Sequence, residues 1–282
     1  MRIIIEKDAP ERTVKEYLKR ELQLSTGLIS QLKRKARGIC LDGEPVTVRK
    51  VVRGGDTLTL ILPEENESNI DPIEAPLDII YEDDDILAVS KPTSMPVHPS
   101  RGNHLVTLAN AVMWYYRDIP FVFRAVNRLD RDTSGIVLIA KNAEAAYKLS
   151  AAMKQGKFIK EYLAIVDGCP AERCGTINAK IVREREGEMK RVVREDGKDA
   201  VTHYEVLKTN GDTSLLRIRL ETGRTHQIRV HMAHIGHPLT KDFLYGNGKP
   251  GDTYCLHAER LTIPHPKTGE IITLVSEAPF DL

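Results

Sequence analysis

Cysteine is scarce in this chain, and so is any long apolar run. Four cysteines (Cys40, Cys169, Cys174, Cys255) among 282 residues form no C-x-x-C pair. That excludes a disulfide framework and a zinc-knuckle pattern, and it leads us to expect reduced thiols in a cytoplasmic protein. No stretch of about 18 uncharged apolar residues occurs, so a transmembrane helix is excluded. The opening Met1-Arg2-Ile3-Ile4-Ile5-Glu6-Lys7 meets an acid at once and lacks the apolar core of a signal peptide. A Gly-rich phosphate loop and an internal repeat are also missing. Charge of one sign is not in excess: 41 Lys and Arg against 40 Asp and Glu leave +1, which excludes a histone-like polycation.

What is present is ordinary globular material. Hydrophobic residues make up 41% and charged residues 29%, with a mean hydropathy of −0.31. The length suits one large domain or two small ones. The charges are distributed unevenly. Between residues 31 and 53 stand Lys33, Arg34, Lys35, Arg37, Arg49, Lys50 and Arg53 against only Asp42 and Glu44, whereas residues 64–85 carry ten acids and no base. A polyanion-binding face and a plain solvated surface both fit the basic block, and charge alone does not choose.

Periodicity predicts two short helices within residues 10–35, with Val14, Leu18 and Leu22, then Leu28, Ile29 and Leu32, at helical spacing. Strands are expected at 38–41, 46–48 and 57–62, with hairpin chemistry at Asp42-Gly43 and Gly54-Gly55-Asp56. Pro63, Pro72, Pro76 and the run of acids give residues 64–76 the composition of a linker. Beyond it strands dominate, at 78–81, 86–90, 135–140, 160–166, 201–207 and 214–220, with helices at 106–116 and 143–154. Without regular βαβ alternation this is α+β with a largely antiparallel sheet.

Two segments are chemically dense. Asn127-Arg128-Leu129-Asp130-Arg131-Asp132-Thr133-Ser134-Gly135 packs two carboxylates, two arginines and two hydroxyls into a turn before an apolar strand. Thr222-Gly223-Arg224-Thr225-His226-Gln227-Ile228-Arg229-Val230-His231 crowds donors for anionic groups into a loop that runs into an apolar-alternating stretch. A metal reading of His226, His231, His234 and His237 is disfavoured, because no Cys or carboxylate lies within the cluster and no H-E-x-x-H is present. Local hydrogen bonding or phosphate contact explains these imidazoles better, and no metal or other cofactor is expected.

The run Arg128-Leu129-Asp130-Arg131-Asp132-Thr133-Ser134-Gly135 closely resembles the signature of the RluA-type pseudouridine synthases. Further blocks in the family's order support the likeness: Ile80-Tyr81-Glu82-Asp83 through Val89-Ser90-Lys91-Pro92 and Met95-Pro96-Val97-His98-Pro99; Lys160-Glu161-Tyr162-Leu163-Ala164; and 222–231 with Ile235-Gly236-His237-Pro238-Leu239. The match covers about residues 77–280. Residues 10–62 are similar, more weakly, to the small RNA-binding domain first described in ribosomal protein S4, through Leu24-Ser25, Ile29, Leu32-Lys33 and Gly55-Asp56. The resemblance departs twice: Asn127 stands where the family usually has His, and Lys241-Asp242 where it commonly has Gly-Asp.

The resemblance implies a pseudouridine synthase fold with a largely antiparallel mixed central sheet over residues 77–282, a linker at 64–76, and a small α/β S4-like domain at 1–63. It implies cofactor-free isomerisation of uridines in structured RNA, ribosomal RNA first and transfer RNA second, by a monomer with no membrane partner. Asp130 is then the nucleophile, attacking the ribose anomeric carbon or the uracil ring, or assisting glycal formation; the sequence does not choose. A carboxylate held ionised in a dry pocket needs a cation, and Arg229 matches that position. Tyr162 matches the tyrosine that stacks on the base and serves as general base. Arg128, Arg131 and Arg224, with His226 and Gln227, would bind substrate, although pairing with Asp132 and neighbouring acids explains the arginines equally well. The N-terminal RNA contacts would come from Lys33, Arg34, Lys35, Arg37, Arg49, Lys50 and Arg53. A non-catalytic RNA-binding protein and a metal-dependent hydrolase are the competing classes.

Overall fold

The computed structural model describes residues 1–22, 24, 26–62, 69–100 and 106–282. Ser25 of the S4-like run, Pro63 and the residues 64–68 that open the expected linker lie outside the described residues. The N-terminal elements are β1 (Arg2–Ile4), β2 (Arg12–Thr13), α1 (Val14–Arg20), α2 (Thr26–Arg34), β3 (Ile39–Leu41), β4 (Glu44–Pro45), β5 (Val51–Val52) and β6 (Thr57–Leu60). Thr13 followed by Glu16 is a capping box: the Glu16 amide donates to Thr13 Oγ1 at 3.3 Å, and the Thr13 amide to Glu16 Oε2 at 3.1 Å. Val14, Leu18, Leu32, Leu58 and Leu60 are fully buried in one apolar cluster.

Asp42 and Gly43 both take positive φ, the tight turn that the β3–β4 hairpin needs. The expected strand at 46–48 does not form. After Val46 the chain turns aside, and the carbonyls of Val48 and Lys50 accept from Lys15 and Val14, the first amides of α1. Those amides have no partner within the helix, and the segment is spent satisfying them. Strand β1, not foreseen, completes the sheet β1-β6-β3-β4.

The larger part begins with β7 (Ile79–Glu82), β8 (Ile86–Lys91), α3 (Leu108–Tyr115), β9 (Ser134–Ala140), α4 (Ala143–Lys154), β10 (Ile159–Asp167), β11 (Cys174–Asn178), β12 (Ile181–Arg183) and β13 (Arg191–Val193). It continues with β14 (Val201–Thr209), β15 (Thr213–Leu220), α5 (Gln227–His234), β16 (Leu256–Pro264) and β17 (Ile271–Val275). The main sheet runs β11-β14-β15-β10-β16-β9-β8-β7, with β17 against β16. Every pairing in it is antiparallel except β9 with β16, so the sheet is mixed and largely antiparallel. No helix among the described residues is long and apolar enough to cross a membrane.

Alternation along β8 and β9 explains the layering. Ile86, Ala88, Ile136 and Leu138 face α4 (Ala145, Leu149), and Leu87, Val89, Val137 and Ile139 face α3 (Leu108, Val112). Covered on both faces, β9 is buried at every residue, which is why it reads as an unbroken apolar run. Tyr147 of α4 packs on the N-terminal cluster and donates its hydroxyl to the Leu22 carbonyl. Residues that looked like linker also dock: Ile70 packs beside α3, and Asn110 holds the backbone of Asp71 and Ile73.

The donor-rich stretch around Ile228 is helix α5, not alternating strand. Its residues from Gln227 to Met232 are all buried, so the apolar residues show no single face and their period is misleading. Strands β11, β16 and β17 are further additions.

Gly135 lies where β9 meets β16, with φ +106°. A Cβ there would fall 2.4 Å from the Ala258 carbonyl oxygen and 2.6 Å from its nitrogen. Gly135→Ala is therefore expected to destabilise the protein by at least about 3 kcal/mol, through strain plus clash. Urea unfolding of both forms checks this, and a loss under about 1 kcal/mol would contradict it.

Candidate active site

The dense 127–134 segment is tied down on every side except at Asp130. Asn127, the first departure from the family pattern, spans the ladder beside β9, donating to the Ile136 carbonyl at 3.0 Å and accepting from the Leu138 amide at 2.8 Å. Arg131 and Asp132 form a two-bond pair at 2.9 and 2.8 Å. Lys91, almost wholly buried at the end of β8, donates from Nζ to the carbonyls of Arg131 (3.0 Å) and Pro92 (2.7 Å). Burial pulls its pKa down to about 8, against the attraction of Asp132 and Asp130. Thr133 and Ser134 bond Tyr254 and His257. At the apex the Asp130 carboxylate accepts no hydrogen bond from the described residues. Its nearest nitrogen neighbours are His226 Nε2 at 3.9 Å and the cationic Arg229 Nη at 4.0 Å, beyond hydrogen-bond range.

Arg229 belongs first to a different carboxylate. From α5 it makes a two-bond pair with Asp242, Nε to Oδ2 at 2.6 Å and Nη2 to Oδ1 at 2.8 Å. Asp242 is completely buried and also accepts the amides of Leu244 and Tyr245. The rings of Tyr254 and Tyr245 cover the guanidinium at 4.3 and 4.9 Å. Burial works against the charge, but the Asp242 bonds more than offset it and hold the Arg229 pKa above its ordinary value. Arg229 therefore serves two carboxylates: Asp242 takes the strong bonds, and Asp130 meets the guanidinium's remaining nitrogen as an ion pair at 4.0 Å, the cation expected beside it. A buried charge must find a bonded counterion, whereas the half-exposed Asp130 has water.

Lys241 explains the second departure. It has φ +64°, the left-handed conformation that glycine adopts without steric cost and lysine does not. The Asp that follows keeps its place at Arg229.

His226 opens α5, also at positive φ. Tyr245 Oη accepts the Arg191 amide and so donates to His226 Nδ1 at 2.8 Å, which puts the imidazole proton on Nε2, toward Asp130. Burial lowers the His226 pKa, with Asp130 opposing, so the ring is neutral at pH 7.

Asp130 stands at the floor of two cavities. The smaller, about 70 Å³, is lined by Thr133, Tyr162, His226 and Arg229. The larger, about 670 Å³, is lined by His98, Arg128, Lys160, Tyr162, Leu220 and Arg224, a size suited to a small ligand. Tyr162 is buried on β10, and burial together with Asp130 raises its phenol pKa.

The other expected residues divide. Arg128 is exposed and lines both cavities. Arg131 is spent on Asp132. Arg224 is exposed, donating from Nε to the Asp199 carbonyl at 2.9 Å. Gln227 is buried with its amide committed: it donates to Val201 and Thr202 and accepts from Thr222 and Arg224, leaving nothing for a base. Lys33, Arg34, Lys35, Arg37, Arg49, Lys50 and Arg53 are all exposed. His231 bonds Thr202 and Ala179 through its two nitrogens, and His237 bonds the Asp167 carbonyl, so these imidazoles do not converge on an ion. Among the described residues, Asp83, Asp85 and His265 do converge. His265 Nδ1 accepts the amides of Lys267 and Thr268, so its Nε2 carries the proton given to Asp83 and is no free ligand.

The sequence profile described as RNA pseudouridylate synthase matches residues 85–234. The uncharacterized RNA pseudouridine synthase YjbO of Bacillus subtilis is 40% identical, with 96% of each chain covered. The ribosomal large subunit pseudouridine synthase D of Haemophilus influenzae is 39% identical over 83% of this chain and 77% of its own. Among solved structures, human RNA pseudouridylate synthase domain containing 1 superposes with a TM-score of 0.63 at 29% identity, covering 73% of this chain and 84% of that one.

Arg229→Leu is expected to cost about 3–5 kcal/mol of stability, because it strands the Asp242 carboxylate in the interior. Replacing Arg229 and Asp242 together should cost less than the sum of the single changes. Denaturant titrations of the cycle test this; strict additivity would show the pair to be uncoupled.

Proposed function

The chain belongs to the RNA pseudouridylate synthase family, and from that premise we propose that it isomerises specific uridines of structured RNA, ribosomal RNA before transfer RNA, with Asp130 as nucleophile. One observation carries this reading: a carboxylate that accepts no hydrogen bond from the described residues lines a nucleotide-sized cavity together with Arg128, Lys160 and Arg224. A group built only for stability would be bonded, as Asp132 and Asp242 are. The relatives whose names specify a ribosomal large subunit support ribosomal RNA as substrate. Every residue invoked comes from one chain, and the reading takes the monomer as the active unit.

The isomerisation breaks the bond from ribose C1′ to N1 and forms one from C1′ to C5, exchanging a C5 proton for one on N1. It is redox-neutral. The uridine must first leave its stack to reach Asp130, at a few kcal/mol in a helix. Asp130 then attacks C1′ or the ring, or takes the ribose proton on the glycal route. The neutral His226 Nε2–H and the distant Arg229 nitrogen orient the carboxylate without occupying it. Tyr162 is held protonated in the free enzyme by burial and by the Asp130 charge. A covalent bond to Asp130 consumes that charge, so the Tyr162 phenol gives up its own proton more readily after the first step than before it; with that proton passed to N1, the phenolate is free to take the one leaving C5.

The test is Asp130→Asn. Pseudouridines are mapped in ribosomal and transfer RNA from cells lacking the protein, then supplied with each form. Wild type should restore the missing sites and the Asn form none, while its melting stays within about 1 kcal/mol, as expected for a partly exposed side chain. Restoration by the Asn form would sink the assignment of Asp130.

The N-terminal unit is read as an RNA-affinity domain. The side chains of Lys33, Arg34, Arg49 and Lys50 are exposed and bond no described residue, whereas those of Lys35, Arg37 and Arg53 reach Leu62, Gly43 and Glu11. Deleting residues 1–65 removes one apolar cluster with its own sheet and leaves the larger sheet whole. Losing four phosphate contacts should flatten the slope of log K against log salt by about 3, at roughly 0.7–0.9 per contact. Turnover at saturating RNA should change little. A salt titration of RNA binding by both forms decides it; identical slopes would make the basic block a solvated face.

A further inference from the structure

We propose that Lys160 binds the RNA phosphate flanking the uridine held over Asp130, a contact that deepens the functional reading above and rests on it. Lys160 lies two residues before Tyr162 on β10, so strand alternation puts both side chains on one face, toward the same cavity. Leu220 of β15 stands directly opposite Lys160 and gives that cavity an apolar wall. On the other side is the open backbone of Gly223: a Cβ there would sit 3.6 Å from the Lys160 ammonium.

The ammonium is half-buried and has no hydrogen-bond or ion-pair partner among the described residues. Its neighbour Glu161 is engaged with Arg260. Burial pulls the Lys160 pKa below its ordinary value, with no carboxylate drawing it back. The contrast with the other buried cations is the argument. Arg229 has Asp242, and Lys91 has two carbonyls and Asp132. Lys160 alone of the three carries a desolvation cost that no described residue compensates. A compact ammonium with free donors, lining a cavity beside the exposed Arg128 and Arg224, is suited to a phosphate oxygen. The base occupies the Asp130–Tyr162 end, and a neighbouring phosphate of the same strand falls at the Lys160–Gly223 end.

The experiment measures binding of a labelled single-stranded oligouridylate to the full chain over a series of salt concentrations. Lys160→Met and Lys160→Arg are compared with wild type. The Met form should bind roughly ten-fold more weakly, as one lost charge-assisted contact implies. Its salt slope should be shallower by about 0.7, the value for one single-strand phosphate. The Arg form should keep the slope, and the Met form should melt no lower than wild type, since it removes an uncompensated charge. Equal affinity and slope in the Met form would overturn the proposal. Weaker binding at an unchanged slope would overturn it too, by showing a contact to the base. If Lys160 governs the slope while no uridine of ribosomal or transfer RNA is isomerised, the isomerase reading falls and the phosphate contact stands. Isomerisation by a protein whose salt slope ignores Lys160 removes the phosphate contact and leaves the isomerase reading in place.

Discussion

The buried pair of Arg229 and Asp242 organises the ground around Asp130. An arginine from α5 and an aspartate thirteen positions later are both removed from water, and each is tolerable only because the other fills its hydrogen-bonding geometry. The consequences spread outward. Asp242 also takes the amides of Leu244 and Tyr245, so the segment after α5 is folded around the carboxylate. Tyr245, set in this way, stacks on the guanidinium and fixes the tautomer of His226. Asp130 then inherits an Arg229 nitrogen and a His226 N–H at about ion-pair distance, oriented by a network it does not join.

The second half of the arrangement comes from the sheet. Strand β9 is covered on both faces and joined to β16 in the one parallel pairing, through Gly135, where no side chain fits. Lys91, Thr93, Tyr254 and His257 then hold residues 131–134 through backbone and hydroxyl groups. The turn is held at its base, and its apical carboxylate accepts no hydrogen bond from the described residues. On the proposed reading Asp130 gains from such support, since a nucleophile fixed by its backbone needs no bond that must break when substrate arrives.

Legibility in the sequence followed how local each interaction is. Helix α4 was readable from Ala143-Glu144-Ala145-Ala146, and β9 from its apolar run, because propensity and burial there agree. The Asp130 loop was dense in charge, but residue type alone fits an ordinary turn with surface ion pairs, and the family resemblance was what singled out Asp130. Helix α5 did not, since burial on all sides hides its period behind Ile228 and Val230. Strand β16 was obscured by His257, Glu259 and Arg260, polar residues whose partners Ser134, Ser276, Arg217 and Glu161 are distant in the chain. The role of Asp242 was invisible for the same reason: nothing in the order of residues says which carboxylate a buried arginine will choose. Lys241 is the instructive case, where a departure from pattern became intelligible only once its φ was known.

That choice of partner also sorts the arginines and lysines that looked equivalent in sequence. Arg131 and Arg229 each face a carboxylate at bonding distance, and their charge is consumed by the fold. Arg224 spends one nitrogen on a carbonyl and keeps its charge, while Arg128 and Lys160 bond no acid among the described residues. A protein surface near zero net charge can hold a strong local positive field only if its acids are placed elsewhere, and here they are. Glu82, Asp83 and Asp85 bond Tyr116, His265 and Asn142 at the far end of β8 from Lys91, so they do not neutralise the cavity rim. Within the larger cavity Asp130 is the one carboxylate among the described lining residues. An anionic strand is therefore attracted to the rim while the single acid at the floor repels phosphate and admits a neutral base, which separates backbone from base by charge before any shape is read.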